Sequence, residues 1–421
     1  MKDKLFNFLG NKILVSVLCC LPILLYFIVI NKYAINIPYH DDYLAILDFL
    51  TNYKVATGLE KLGLLFQQHN EHRIFSSRVI YVIYLELFKT INFRDIILIG
   101  NIQLVISYLI LFHFTKKAMP IGWGLPVIIF SLCVFDLTSC NNTVWAMAAV
   151  QNFGIVMLFL LSLFFYDSEK KYAIFFAILF QIIAIYSSGN GFVAGACLVL
   201  YTILKREKRQ IIISSLVFVV FFSLYFLRYK FGVGITDSGS RRIVWNFFHF
   251  LSAHITVGRR NYYDYIVIFL SIVVLGLYLI SLPFNKKLQI SKEKIPLFVV
   301  GVFSVITMAL ISVGRWVGVV SGKYMIYPNI FTAVVIVFFL IKFKHDKQIR
   351  VYRATFAILF ILCFFRNFDF GVKGCAGIRN KVIRHDTLYY DPKDEKAIEA
   401  ASCKAGIYCI EKESINIKAI N

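Results

Sequence analysis

Two adjacent carboxylates, Asp41 and Asp42, lie in the run Asn36-Ile-Pro-Tyr-His-Asp-Asp-Tyr43, shortly after the first long apolar stretch. Like charges this close raise one another's pKa, so one of the pair can act as a base near neutral pH. The same pair stands before Tyr43-Leu-Ala-Ile-Leu-Asp-Phe-Leu50, where it reads equally as the cap of an amphipathic helix. Further along comes Gln67-Gln-His-Asn-Glu-His-Arg73, an unbroken polar run abutting an apolar segment. Glu71 or His72 could orient an acceptor hydroxyl there while Arg73 meets a phosphate. His69 and His72, three residues apart, would share one face of a helix. With Asp41 or Asp42 they could hold a divalent cation such as Mg or Mn, although the spacing matches no zinc motif. The plainer alternative is an interfacial cap with Arg73 against lipid headgroups.

Further polar insertions follow. Asn141-Asn-Thr-Val-Trp145 with Gln151–Asn152 offers amides and an indole suited to hydrogen bonding and stacking on a sugar. Ser187-Ser-Gly-Asn-Gly191, with Asn190, is a compact turn where backbone can approach a ligand. Both read alternatively as ordinary turns or interface anchors. Gly314-Arg-Trp-Val-Gly-Val-Val-Ser-Gly-Lys-Tyr324 sets Arg315, Lys323 and Tyr324 between two apolar runs. Gly258-Arg-Arg-Asn-Tyr-Tyr-Asp264 repeats the pattern with Arg259 and Arg260, and Arg241–Arg242 lie upstream. Cations there are suited to the phosphate of an anionic lipid, and Arg and Tyr also gather at membrane interfaces without catalysis.

The elements that must hold these residues are apolar. Of 421 residues 59% are hydrophobic and only 16% charged, and the mean hydropathy is +0.72. A water-soluble enzyme, a disordered chain and a disulfide scaffold are excluded. The formal charge of +21 is concentrated in short basic clusters between apolar runs, which points to membrane lipids and a phosphate-bearing substrate, with no nucleic acid as partner. The first run, Ile13–Ile30, lacks a cleavage site and reads as a retained helix with a cytoplasmic N-terminus. Later runs are Ile96–Phe114, Gly122–Phe135, Phe153–Tyr166, Tyr172–Tyr186, Gly191–Leu204, Ile211–Leu227, Tyr265–Leu282, Ile295–Val313, Met325–Ile341 and Ala354–Phe365. Several are shorter than the roughly 20 residues that span a bilayer, so their ends must reach into flanking polar residues.

Lys116–Lys117, Lys170–Lys171, Lys205–Arg209, Lys286–Lys294 and Lys342–Lys347 fall in every second loop, which places that set in the cytoplasm. The opposite set holds Asn31–Ser76, Asp136–Asn152, Ser187–Asn190, Tyr229–Asp264, Gly314–Lys323 and the tail. Ile74–Phe88 would reverse the parity if it crossed, so it reads as re-entrant, interfacial or part of a broken helix. The expected fold is therefore all-α and polytopic, with about eleven crossings (ten to twelve). The transmembrane domain would cover residues 1–365, including loops 31–76 and 229–264. A non-membrane tail, residues 366–421, would carry Cys375, Cys403 and Cys409, either as three thiols or, in an oxidising compartment, as one disulfide and one thiol.

A first helix followed by a long loop with Asp41–Asp42, a second cluster at His69–Arg73 and many spans resembles the GT-C superfamily of polytopic glycosyltransferases. Gln151, Ser188-Gly-Asn-Gly191, and Arg315 followed by Ser321-Gly-Lys-Tyr324 look like the bacterial O-antigen glucosyltransferases of serotype-converting operons. The resemblance covers Ile13 to about Ile341. It implies an inner-membrane enzyme with a periplasmic active site. The donor would be a polyprenyl-phosphate sugar, made and delivered by a polyprenyl-phosphate glucosyltransferase and a flippase, and the acceptor lipid-linked O-antigen. Asp41 and Asp42 correspond to the acidic pair of such enzymes, and Arg315 to the arginine before the last periplasmic turn. Related sequences tend to read Ser-Arg-Tyr where this chain has Gly322-Lys-Tyr324, and Lys keeps the charge but loses the bidentate fork. An O-antigen polymerase or ligase, and a lipid or polysaccharide flippase, are the competing classes.

Overall fold

The computed structural model describes residues 11–231, 240–256, 264–282, 289–314, 322–343, 349–384 and 392–410. It is almost wholly helical. The first helix, α1 (Lys12–Tyr33), is capped by Asn11, whose side chain accepts from the N–H groups of Ile13 and Leu14. The loop after it holds a π-helical turn (Tyr43–Asp48), α2 (Phe49–Val55), α3 (Leu59–Phe66) and a hairpin of β1 (Gln68–His69) and β2 (His72–Arg73). Then come α4 (Phe75–Phe88), α5 (Phe93–Ala118), α6 (Gly124–Val134), α7 (Cys140–Thr143), α8 (Ala146–Asp167), α9 (Ala173–Ile185), α10 (Gly191–Lys205) and α11 (Lys208–Tyr225). The remainder is α12 (Ser240–Thr256), α13 (Asp264–Ser281), α14 (Ile295–Gly314), α15 (Ile326–Lys342), α16 (Ile349–Arg384) and α17 (Pro392–Lys404). Among the described residues, six helices are long and apolar enough to cross a membrane: α1, α5, the stretch Gly124–Thr143, α8, α11 and α14.

The central helix α8 separates two polar clusters. At its C-terminal end Asp167 meets Lys117 at 2.6 Å and Lys205 at 2.9 Å and accepts from the Tyr201 hydroxyl at 2.7 Å, which pins the ends of α5, α8 and α10 together. At its N-terminal end Met147 donates its N–H to Asp42 at 2.8 Å. At 1.5 Å per residue the two clusters lie roughly 30 Å apart. Lys117 and Lys205, from two of the alternating basic clusters, thus occupy one end of the bundle and the acidic loop the other.

Both ends of helix α4 lie on the Asp42 face. Its first N–H, from Phe75, donates to Tyr186 O at 2.9 Å, at the end of α9. Past its last turn, Phe93 N–H donates to Asn36 Oδ1 at 2.8 Å and Arg94 to Asn31 Oδ1 at 2.6 Å, both beside the C-terminus of α1. Its 14 residues reach roughly 21 Å, less than a bilayer core.

Close helix contact relies on small residues. A Cβ on Gly100 of α5 would lie 2.5 Å from the Ala149 Cβ and 2.8 Å from the Ala149 carbonyl carbon of α8.

Two boundaries differ from the sequence reading. α8 starts at Ala146, before the apolar run at Phe153, because Ala146–Val150 is buried against neighbouring helices. α16 does not stop at Phe365 but continues to Arg384, with Phe364, Asn367, Gly371, Cys375 and Val382 forming a buried stripe at helical spacing. Gly371 packs on Leu137, and a Cβ on Gly374 would lie 2.6 Å from Cys140 Sγ.

Candidate functional site

Asp42 is 1% exposed and spends both carboxylate oxygens on backbone donors. Oδ2 accepts from Tyr39 N–H at 3.0 Å and Oδ1 from Met147 N–H at 2.8 Å. Met147 is the second residue of α8, and the residue preceding that helix, Trp145, offers no side-chain acceptor. Asp42 therefore caps a helix distant in sequence, while making no capping bond to the π-helical turn that follows it. Burial pushes its carboxyl up to about 8, against the N–H groups of Met147 and Tyr39, which favour the ionised form. Asp41, the neighbouring carboxylate, is partly exposed.

Around this pair stand groups from two other segments. The indole of Trp145 lies 5.5 Å from the Tyr39 ring and 5.4 Å from the His40 ring, centroid to centroid. Lys323 Nζ sits 5.2 Å from the Trp145 ring centroid and 5.9 Å from that of Tyr324. The Lys323 carbonyl accepts from Asn142 Nδ2 at 2.6 Å, and Asn142 Oδ1 accepts from Asn152 Nδ2 at 3.0 Å, so an amide relay from α7 and α8 fixes the Gly322–Tyr324 turn. Gly322 fits closely, since a Cβ there would lie 3.3 Å from both Asn141 Oδ1 and Thr138 O.

His40 belongs to this cluster and was not singled out by sequence reasoning. Its φ of 50° is a left-handed conformation that costs a non-glycine residue energy and is found at sites where the surrounding structure imposes it. Burial lowers its pKa, Asp41 raises it, and Lys323 and Lys381 lower it further. The signal available in the sequence was a histidine immediately before an acidic pair. Lys381 was unforeseen because it lies in the part of α16 read as tail.

The second polar cluster is a hairpin, where a helix was expected. His69 and His72 are cross-strand partners, with Asn70 at φ 47° turning the chain between them. Asn tolerates that conformation. Burial lowers the pKa of His69, and Asp41 acts in the opposite direction. The Ser187–Gly191 turn closes onto His72: a Cβ on Gly189 would lie 2.9 Å from its Cε1 and Nδ1. Asn190 donates to the Tyr327 hydroxyl at 2.8 Å. Glu71 is exposed at the hairpin tip, where its carbonyl accepts from the Tyr229 hydroxyl at 2.8 Å.

Arg73 was expected to meet a phosphate. Its guanidinium instead donates to the carbonyls of Phe66, Tyr225 (2.9 Å) and Leu227 (2.6 Å), and it is 8% exposed. It binds the hairpin to the end of α11. Gln151 is likewise buried in the second turn of α8, because that helix starts earlier than its apolar run. Among the described residues no three His, Cys, Asp or Glu side chains converge as a metal site. Of the residues considered for a divalent cation, Asp42 accepts one backbone N–H at each carboxylate oxygen, and His69 and His72 are cross-strand partners in the hairpin. Arg259, Arg260 and Arg315 lie outside the described residues, as do the side chains of Arg241 and Arg242.

No protein-family model matches this chain, and no curated protein matches it.

Proposed function

We propose that the protein is an inverting GT-C-type glycosyltransferase with about eleven crossings. It would move a glucosyl or other hexosyl group from a polyprenyl-phosphate sugar to lipid-linked O-antigen at the periplasmic face of a bacterial inner membrane. The observation that carries this reading is convergence: Asp41, His40, Trp145 and Lys323, from three separate segments, meet at one end of the bundle. A carboxylate, an aromatic wall and a cation are what transfer from a lipid phosphate needs.

Asp41 takes the proton of an acceptor hydroxyl as that oxygen attacks the anomeric carbon. The bond from that carbon to the phosphate oxygen breaks, and the phosphate leaves with the electron pair. Lys323 stabilises the growing charge, a role that the resemblance also implies for Arg315. A single displacement inverts the anomeric centre. Trp145 supports the sugar beside Lys323, and Asp42 holds the loop to α8.

Two observations support the orientation and the enzyme class. The Cys403–Cys409 disulfide lies on the Asp42 face, and such bonds persist in oxidising compartments. The Asp, Glu, Lys and Arg residues of α1, α5, α8, α10, α11, α13 and α15 all fall in first or last turns, whereas a transporter carries ionisable groups at mid-membrane. The test is transfer from a short-chain polyprenyl-phosphate glucose to O-antigen repeat lipid by purified protein. Asp41→Asn should lower turnover about a hundredfold to ten-thousandfold, with donor binding retained. Near-normal turnover in a folded Asp41→Asn protein would rule out this mechanism.

A further inference from the structure

The last described segment lies against the acidic loop. Tyr43 donates its hydroxyl to Glu399 Oε1 at 3.1 Å, and Lys54 Nζ donates to Ala405 O at 2.6 Å. The Tyr408 hydroxyl donates to Asn36 O at 2.9 Å. Ile91 N–H, between α4 and α5, donates to Ile407 O at 2.8 Å. Ile407 is fully buried, and the ring of Tyr408 stands edge-on to Phe93 with centroids 5.0 Å apart. Asn36, Tyr43 and Lys54 bracket Asp41 in the chain, so these bonds grip the segment that carries the candidate base on both sides. The turn that delivers Ala405, Ile407 and Tyr408 is closed by the Cys403–Cys409 disulfide and passes through Gly406 at φ 66°.

We infer that residues 392–410 are a disulfide-closed strap that positions the acidic loop, and that the thiol–disulfide state of Cys403 and Cys409 sets the competence of the site. The first half stands on the contacts alone; the second rests on the function proposed above. A short turn that must hold a left-handed glycine while presenting two carbonyls and a phenol has many competing conformations when open, and the cross-link removes most of them. Closing it needs a thiol–disulfide oxidoreductase as co-reactant. Cys403 and Cys409 each lose a proton and together pass two electrons to its disulfide, which leaves as two thiols. Dithiothreitol reverses the step and ends as its own cyclic disulfide.

Hydrogen exchange read by mass spectrometry on the purified full chain tests the strap. The oxidised protein, the same protein in dithiothreitol and a Cys403→Ser, Cys409→Ser variant are compared. The amide of Ile91 and those of residues 37–55 should exchange about tenfold faster or more once the cross-link is gone, while residues 150–165 of α8 stay unchanged. Tyr408→Phe, which removes one hydrogen bond and leaves the disulfide, should give a smaller rise in the same peptides. Equal exchange in residues 37–55 with and without the disulfide would overturn the strap. Glycosyl transfer should fall with reduction and return on reoxidation; transfer indifferent to reduction would overturn its control of the site. Should the oxidised protein transfer no sugar at all, the proposed function fails, and the exchange result still decides the strap.

Discussion

Asp41 and Asp42 are neighbours with different surroundings, and the difference fixes what each substitution does. Asp42→Ala would strip the acceptor from two backbone N–H groups, one of them in the first turn of α8, and should cost about 1–2 kcal/mol in unfolding experiments in detergent. The pH dependence has a definite sign. A carboxyl near 8 in the folded chain and about 3.9 in the unfolded chain takes up a proton on folding between those values. Its contribution to stability is therefore largest below about pH 4 and declines as pH rises to about 8. Asn at this position carries a fixed penalty and no titration, so the stability of Asp42→Asn relative to wild type should improve from pH 5 to pH 8. A difference constant over that window would mean that Asp42 is ionised throughout. Arg73 yields a contrasting prediction. Its fork satisfies three carbonyls that a single ammonium cannot reach together, so Arg73→Lys should destabilise the protein by about 2–4 kcal/mol. A residue that only met a substrate phosphate would lose activity and leave thermal unfolding unchanged.

At the scale of elements, the close pair α5 and α8 is the most exposed to substitution. In Gly100→Ala the new methyl meets Ala149 Cβ and the Ala149–Val150 backbone, none of which can rotate away. The helices must separate, and a loss of about 1–3 kcal/mol is expected in the free energy of unfolding, read as a lower thermal midpoint. Most helices were legible because a bilayer demands long apolar runs: Ile295–Val313 matches α14 and Gly191–Leu204 matches α10 to within a residue. The misses have physical causes. Strands of two residues leave no period to read, so His69 and His72 looked helical. The buried stripe from Phe364 to Val382 is interrupted by Arg366, Asp369 and Lys373, which lowers its hydropathy while leaving its spacing intact. Spacing was the signal that would have extended α16. The site was legible as a list of polar insertions on one face. Which of them touch was not, since the capping of α8 by Asp42 and the carbonyl cage of Arg73 join segments far apart in sequence.

For the whole molecule the alternating charges make a prediction about sidedness. Single cysteines replacing Lys116 and Lys205 should react with an impermeant maleimide from one side of a sealed membrane, and one replacing Asp41 from the other. Labelling of positions 41 and 205 from the same side would end the proposed orientation. In the proposed orientation, the polar ends of α8 would oppose its movement through the membrane. Asp167 with its two lysines anchors one end, and the loop held by Asp42 closes the other.

The contacts between the strap and the acidic loop also set an order in time. Tyr43 and Glu399 are 356 positions apart, and Asn36 and Tyr408 are 372 apart. At the usual pace of synthesis the first partner of each pair waits on the order of tens of seconds for the second. During that wait Phe93 and Met147 can already bind Asn36 and Asp42, while the bonds of Asn36 O, Tyr43 and Lys54 to the strap are still missing. The nascent chain would thus be assembled as a helical bundle before the strap closes on its acidic loop. The Cys403–Cys409 bond, 362 positions beyond Asp41, would form only after the helices from α1 to α16 are made.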